Sequence, residues 1–228
     1  MIRVERKPVP SDLAKLVKDT KNYRHQVVVE KIKENFNNKC YLCEIKESTS
    51  INIEHFIPHR GDENLKYKWS NLYFACSHCN GIKGHRYDNI LDPLNEDIES
   101  YINCRMDAVP MAKVIIEGTS QDEKVINTVN LLDEIFNKCN ELAGVRTEES
   151  RNLRNKLLKE LRSFQNSLFI YYDEEELEED REKAKKEIRK HLRSKSQFTA
   201  FKRCLIREKD VIYEEFKDEF IWGTCWIL

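Results

Sequence analysis

Two cysteine pairs carry the clearest chemistry in this chain. Cys40-Tyr41-Leu42-Cys43 and Cys76-Ser77-His78-Cys79 are C-x-x-C pairs separated by 32 residues. A two-residue gap lets both thiolates of a pair face one ion. Two such pairs supply the four soft ligands of a closed tetrahedral Zn²⁺ site. Buried thiols or a redox dithiol are the alternative, but no thioredoxin-like pattern accompanies the pairs. With four cysteines completing the site, His78 is expected on the exposed surface of the knuckle. Cys104, Cys139, Cys204 and Cys225 lack this spacing and are expected to be core thiols. Between the pairs runs Ile51-Asn52-Ile53-Glu54-His55-Phe56-Ile57-Pro58-His59-Arg60. The alternation of Ile51 and Ile53 predicts a short strand that delivers Glu54 and His55 to its end. An imidazole that titrates near neutrality, beside a carboxylate, is suited to moving protons.

Trp69-Ser70-Asn71-Leu72 and Cys79-Asn80-x-x-Lys83-Gly84 follow. In this order and spacing, residues 38–86 resemble the HNH endonuclease family, whose ββα-metal core often carries two zinc-binding C-x-x-C pairs. The resemblance implies an α+β fold: a small ββα-metal core with a structural zinc site, embedded in a mainly α-helical protein. It also implies hydrolysis of DNA phosphodiesters, which needs an in-line nucleophile and neutralised phosphate charge. By motif position, His55 is the expected general base and Asn71 the residue that holds the base-bearing loop. Glu54 and Asn80 are expected to hold one Mg²⁺ or Mn²⁺ through oxygen atoms. Many family members carry Asp where this chain has Glu54, and others use His where it has Asn80. Neither departure removes a hard oxygen donor. His59 and Arg60 either grip the phosphate backbone or cap the turn after Pro58. Lys83, with His85 and Arg86, is expected on a phosphate-screening surface, because Cys79-Asn80-x-x-Lys83-Gly84 recurs as a family motif.

Further segments look like a narrower group, the HNH subunits of Septu-type antiphage systems (PtuB-like), also found with some retrons. They are Met1-Ile2-Arg3-Val4-Glu5-Arg6-Lys7-x-x-Pro10, Ile53-Glu54-His55-Phe56-x-Pro58, Trp69-x-Asn71-Leu72 and the helix expected over Thr128–Arg146. That likeness implies a bacterial defence effector that cuts DNA with an SMC/ABC-type ATPase partner (PtuA-like). Two other readings stay open. One is a stand-alone restriction or homing-type HNH nuclease. The other is a zinc-stabilised, non-catalytic nucleic-acid-binding or scaffold module.

The flanking sequence must position these residues, and it divides into three parts. Residues 1–36 read as an N-terminal helical segment, 37–95 as the nuclease core, and 96–228 as a helical region that could bind a partner. Ser11 or Asp12 can cap a first helix carrying Leu13, Leu16 and Val17, and Tyr23–Phe36 continues or restarts it. No proline follows Pro110, so the second half reads as mostly helix. Ser120 with Glu123 has the form of a capping box, followed by Val125, Val129, Leu132, Phe136 and Cys139 on one face. A second helix is expected over Glu148–Phe169. The charge-dense run Asp173–Lys190 reads as a solvated helix with its acids first and bases last, as the helix dipole favours. The apolar end (Phe216, Phe220, Ile221, Trp222, Trp226, Ile227, Leu228) either folds onto the core or docks a partner. His25 and His191 read as surface residues.

Composition bounds the rest. Among 228 residues, 40% are hydrophobic and 35% charged, which suits a folded domain with a solvated surface. No run approaches the ~20 apolar residues of a membrane span and no signal region follows the N-terminus, so no membrane partner and a cytoplasmic location are expected. Lys plus Arg number 39 and Asp plus Glu 40, a net of −1 that alone argues against a basic nucleic-acid binder. The balance is uneven: residues 1–90 hold 16 basic and 11 acidic side chains, and residues 91–228 hold 23 and 29. Four zinc-bound thiolates with one Zn²⁺ add −2 to the front, leaving about +3. So small a surplus predicts weak, salt-sensitive DNA binding that a partner must assist.

Overall fold

Left-handed turns at Lys21, Asn37 and Asn38 set the front of the molecule. In the computed structural model, which describes residues 1–7, 11–46, 50–109, 112–140 and 145–220, helix α1 spans Ser11–Thr20 and α2 spans Gln26–Asn35. Lys21, at φ 49°, breaks the chain between them, so the second segment restarts instead of continuing. Val17, Val28 and Ile32 turn the apolar faces of both helices into the core. Asn37 and Asn38, both at positive φ, then reverse the chain into the first cysteine loop.

The nuclease-like unit follows in ββα order. Strand β1 (Ile51–His55) pairs antiparallel with β2 (Leu72–Cys76), with His55 opposite Leu72 and Ile51 opposite Cys76. Short helix α3 (Glu63–Lys66) lies in the connection, capped by Asp62, whose side chain accepts from the Asn64 and Leu65 amides. Every residue of β2 is buried, and α4 (Ser77–Lys83) continues directly from it.

Past this unit the chain is not helical throughout. After α5 (Ile98–Tyr101), β3 (Ile102–Asp107) and β4 (Lys113–Gly118) form an antiparallel hairpin inside the region read as helix. The period-two burial of Ile102 and Cys104 against exposed Asn103 and Arg105 marks the strand; the scarcity of Gly and Pro does not exclude one. Gly118 permits the hairpin's close approach to the next helix, because a Cβ there would lie 2.6 Å from Val125 Cγ1. That helix, α6 (Glu123–Asn137), is capped by Asp122 instead of Ser120, so the expected capping box does not form. A two-residue pair, β5 (Cys139–Asn140) and β6 (Val145–Arg146), leads to α7 (Glu148–Tyr172), capped by Thr147. The charge-dense run breaks at Asp173–Leu177 before α8 (Glu178–Leu192); α9 (Thr199–Arg207) and α10 (Asp210–Phe216) complete the order.

The main apolar core joins the N-terminal segment, the β1–β2 unit, α6, the first half of α7 and α9. A second core packs Phe164, Leu168, Ile188, Leu192, Ile206 and Phe216. Phe216 is thus internal, whereas Pro10, Ile221–Leu228 and Cys225 lie outside the described residues, as does the side chain of Cys139. Cys104 and Cys204 are buried as expected, with their sulfurs 3.6 Å apart between β3 and α9.

Three polar links tie the cysteine loops to the helical region. Glu44, at φ 61°, accepts from the Thr199 and Ala200 amides at the start of α9 and pairs with Lys39 and the Met1 ammonium. Lys39 also donates to the Ser196 carbonyl at 2.7 Å. His78, expected to be exposed, is half-buried and bonds the Ile135 carbonyl of α6 at 2.8 Å. His191 is also no surface residue: it packs between α7, α8 and α9 with Lys202 Nζ 2.8 Å from its Nδ1. His25 is half-buried as well. Among the described residues, no helix is long and apolar enough to cross a membrane.

Candidate active site

The four cysteines converge. The sulfurs of Cys40, Cys43, Cys76 and Cys79 all lie within 4.8 Å of one another, and all four residues are buried. Tetrahedral Zn–S bonds of about 2.3 Å require sulfur–sulfur edges of about 3.8 Å. The Cys43–Cys76 separation is 3.9 Å, so the donor set fits zinc. Burial pushes the Cys43 and Cys79 thiols well above their ordinary range, and a divalent cation is what would remove their protons. Cys76 also caps α4, its sulfur accepting from the Cys79 amide.

Strand alternation sends Glu54 and His55 to opposite faces of β1. Glu54 is 4% exposed and accepts a hydrogen bond from the Tyr41 hydroxyl, with Lys83 Nζ 3.6 Å away. Burial raises its carboxyl to about 7, against the opposing pull of Lys83 and Tyr41. Asn52, on the same strand face as Glu54, donates to Ser77 Oγ of α4 at 2.8 Å. Asn80 is half-buried one turn further along α4, and its amide forms no hydrogen bond with a described residue. The Glu54 carboxylate on β1 and the Asn80 amide oxygen on α4 are hard donors of the kind Mg²⁺ or Mn²⁺ takes.

His55 is half-buried, with Nε2 2.9 Å from the Lys66 carbonyl. A carbonyl only accepts, so Nε2 carries the hydrogen and Nδ1 of the neutral ring is left as the base. Burial lowers the pKa of His55, although the Lys66 carbonyl opposes that shift, so the ring is unprotonated at neutral pH. Tyr23 and His59 meet the ring edge-on at 4.9 and 4.8 Å and fix its plane. Asn71 clamps the loop after His55: its Oδ1 accepts from the Ile57 amide at 2.8 Å. Its Nδ2 donates to the Ile57 and Leu65 carbonyls at 2.9 and 3.1 Å.

The remaining candidates divide. His59 caps the turn: its Nδ1 accepts from the Gly61 amide and its carbonyl from the Asp62 amide, with Arg60 and Gly61 at positive φ. Arg60 is exposed and paired with Asp88 at 2.6 Å, and Arg86 is exposed and paired with Glu134 at 2.9 Å. His85 is exposed. Lys83 departs from the expected phosphate-screening surface. It is 1% exposed and donates to the His55 and Phe56 carbonyls at 3.2 and 2.9 Å, holding the end of β1 to α4 from inside. The sequence reading missed Tyr41, Tyr23 and the Lys66 carbonyl. Tyr41 stood in view inside the first C-x-x-C, but the other two are brought to His55 only by the fold.

This geometry agrees with the comparisons to known proteins. The family model for HNH endonucleases matches residues 40–86. The Septu protein PtuB of Bacillus thuringiensis is 33% identical over 99 residues, 42% of this chain. The chain spans only about a third of that relative's length, 36%. No solved structure matches the chain. With its ββα order, its four converging cysteines and His55 at the strand end, the segment 40–86 is similar to the HNH endonuclease family whose model it matches.

Proposed function

We propose that this chain is a metal-dependent endonuclease that hydrolyses DNA phosphodiester bonds. In this reading it is the cytoplasmic effector of a bacterial Septu-type antiphage system and works with an SMC/ABC-type ATPase partner (PtuA-like). One observation carries the nuclease reading. His55, at the end of β1, has its Nε2 committed to the Lys66 carbonyl, while Nδ1 forms no hydrogen bond with a described residue and burial lowers the pKa of the ring. In this reading Nδ1 takes the proton from an attacking water, and the Asn71 clamp holds the ring in line. Glu54 and Asn80 would hold Mg²⁺ or Mn²⁺, which when bound neutralises phosphate charge and stabilises the leaving oxygen. Zn²⁺ on Cys40, Cys43, Cys76 and Cys79 would have a structural part, since four thiolates leave it no open position.

The likeness to PtuB supports the defence setting. The helical region after residue 95 is the candidate surface for the ATPase. The test is plasmid cleavage with Mg²⁺ or Mn²⁺, with and without the neighbouring gene's ATPase. His55→Ala should lower the rate by about 10²–10⁴-fold and leave zinc content and melting temperature unchanged. Cutting by the variant at the wild-type rate would remove His55 from the mechanism.

A further inference from the structure

A groove beside α4 has no part in the chemistry above. Ser77, Asn80 and Gly81 recur at helical steps of three and four, so they share one face of α4. Asn52 reaches Ser77 from the strand face that carries Glu54, and Ser77 stands about one turn, about 5 Å, along α4 from Asn80. From Ser77 and Gly81 a groove of about 940 Å³ opens toward α7. It is roomy at its α4 wall, where a Cβ on Gly81 would meet nothing within 4 Å.

The opposite wall is cationic. Asn152, Lys156 and Lys159 follow each other at steps of four and three on the exposed face of α7, and Lys138 stands at the end of α6. The stripe on α7 covers about 10 Å of helix axis. Lys138, Lys156 and Lys159 form no ion pair with a described residue, and Glu149 is the one acid lining the groove among the described residues. This differs from Arg60 and Arg86, whose charges Asp88 and Glu134 already neutralise. Two ammonium groups about one turn apart on α7, with a third at the end of α6 and an amide a further turn along, suit a chain of phosphates better than a single small anion.

We infer that this groove carries the phosphate backbone of the substrate DNA away from the scissile bond, with Lys138, Lys156 and Lys159 as its contacts. The inference rests on the DNA-cutting reading of the site and extends it to a second surface. The test compares the full chain with Lys138→Gln/Lys156→Gln/Lys159→Gln, and with Lys186→Gln on α8 as a control cation outside the groove. Binding of a labelled DNA duplex is read across a salt series, and hydrolysis is read on both plasmid and bis(p-nitrophenyl) phosphate, which is too small to reach the groove.

The triple variant should bind DNA at least tenfold more weakly at low salt. Its log K against log salt should flatten by about 0.9 for each lysine that touches a phosphate. Plasmid cutting should fall with binding, while bis(p-nitrophenyl) phosphate turnover and the Lys186→Gln values stay at wild type. Wild-type DNA affinity and salt slope in the triple variant would overturn the inference, as would loss of ATPase binding with DNA binding intact. If wild type hydrolyses neither substrate, the nuclease reading fails, and the salt series still decides the groove.

Discussion

At the scale of single residues, directed hydrogen bonds hold the candidate site in place. Asn71 spends its whole amide on Ile57 and Leu65, so Asn71→Ala releases the loop that follows His55 without touching the imidazole. The expected outcome is a fall of about 10²-fold in kcat with KM little changed. Stability should fall by about 1–3 kcal/mol for the unpaired groups left behind. Steady-state kinetics with a melting curve separate the two effects, and an unchanged kcat would confine Asn71 to a structural part. His55, Glu54, Asn71 and Asn80 stand out in the sequence as candidates because motif order and side-chain chemistry name them. Lys83 was legible as a motif residue and misplaced as a surface one. A lysine is ordinarily exposed, and only the carbonyls of His55 and Phe56, which the fold presents, draw its ammonium inside.

At the scale of elements, one carboxylate docks the first cysteine loop onto α9. Glu44 meets two amides at the N-terminus of α9, where the helix dipole favours a negative charge, and it balances two buried or half-buried cations. Glu44→Ala leaves Lys39 buried without its partner and should lower stability by about 3–5 kcal/mol, read as a large drop in melting temperature. His191 gives the elements α7, α8 and α9 a pH dependence. Burial first, and Lys202 second, lower its pKa to about 4, with Glu160, Glu187 and Lys190 also facing it. A chain that unfolds regains a histidine near 6.5, so the unfolded state binds the extra proton below that pH. Stability is therefore full above pH 6.5 and falls between 6.5 and 4, by about 2 kcal/mol once partial exposure of the ring is allowed for. The difference between wild-type and His191→Gln melting curves from pH 7.5 to 5 should isolate this slope, because the Glu54 carboxyl, raised to about 7, changes stability in the opposite direction over the same range. The helices α6 and α7 were legible because their apolar residues recur at three and four. The β3–β4 hairpin was not, because its period-two pattern is short and Gly118 reads as a loop residue until Val125 packs over it.

At the scale of the molecule, the cysteine cluster stitches the 40–46 loop to β2 and α4, whereas the second half of α7 packs with α8 on a second core that contains none of its ligands. A strong chelator should therefore abolish activity and release one equivalent of metal while most of the helical circular dichroism persists. Wholesale loss of helix on chelation would show that the two cores melt together. The near-neutral total charge concealed a basic front, and the fold brings one further acid to it from outside residues 1–90, pairing Arg86 with Glu134. The Glu44, Lys39 and His78 links bear on portability. An HNH unit lifted out at residues 37–95 and grafted elsewhere would strand a carboxylate, an ammonium and an imidazole at a raw surface shaped for α6 and α9. Each stranded group would cost on the order of 1–3 kcal/mol or draw in water. The nuclease motif is therefore no interchangeable cassette: its host helices are part of its inner shell.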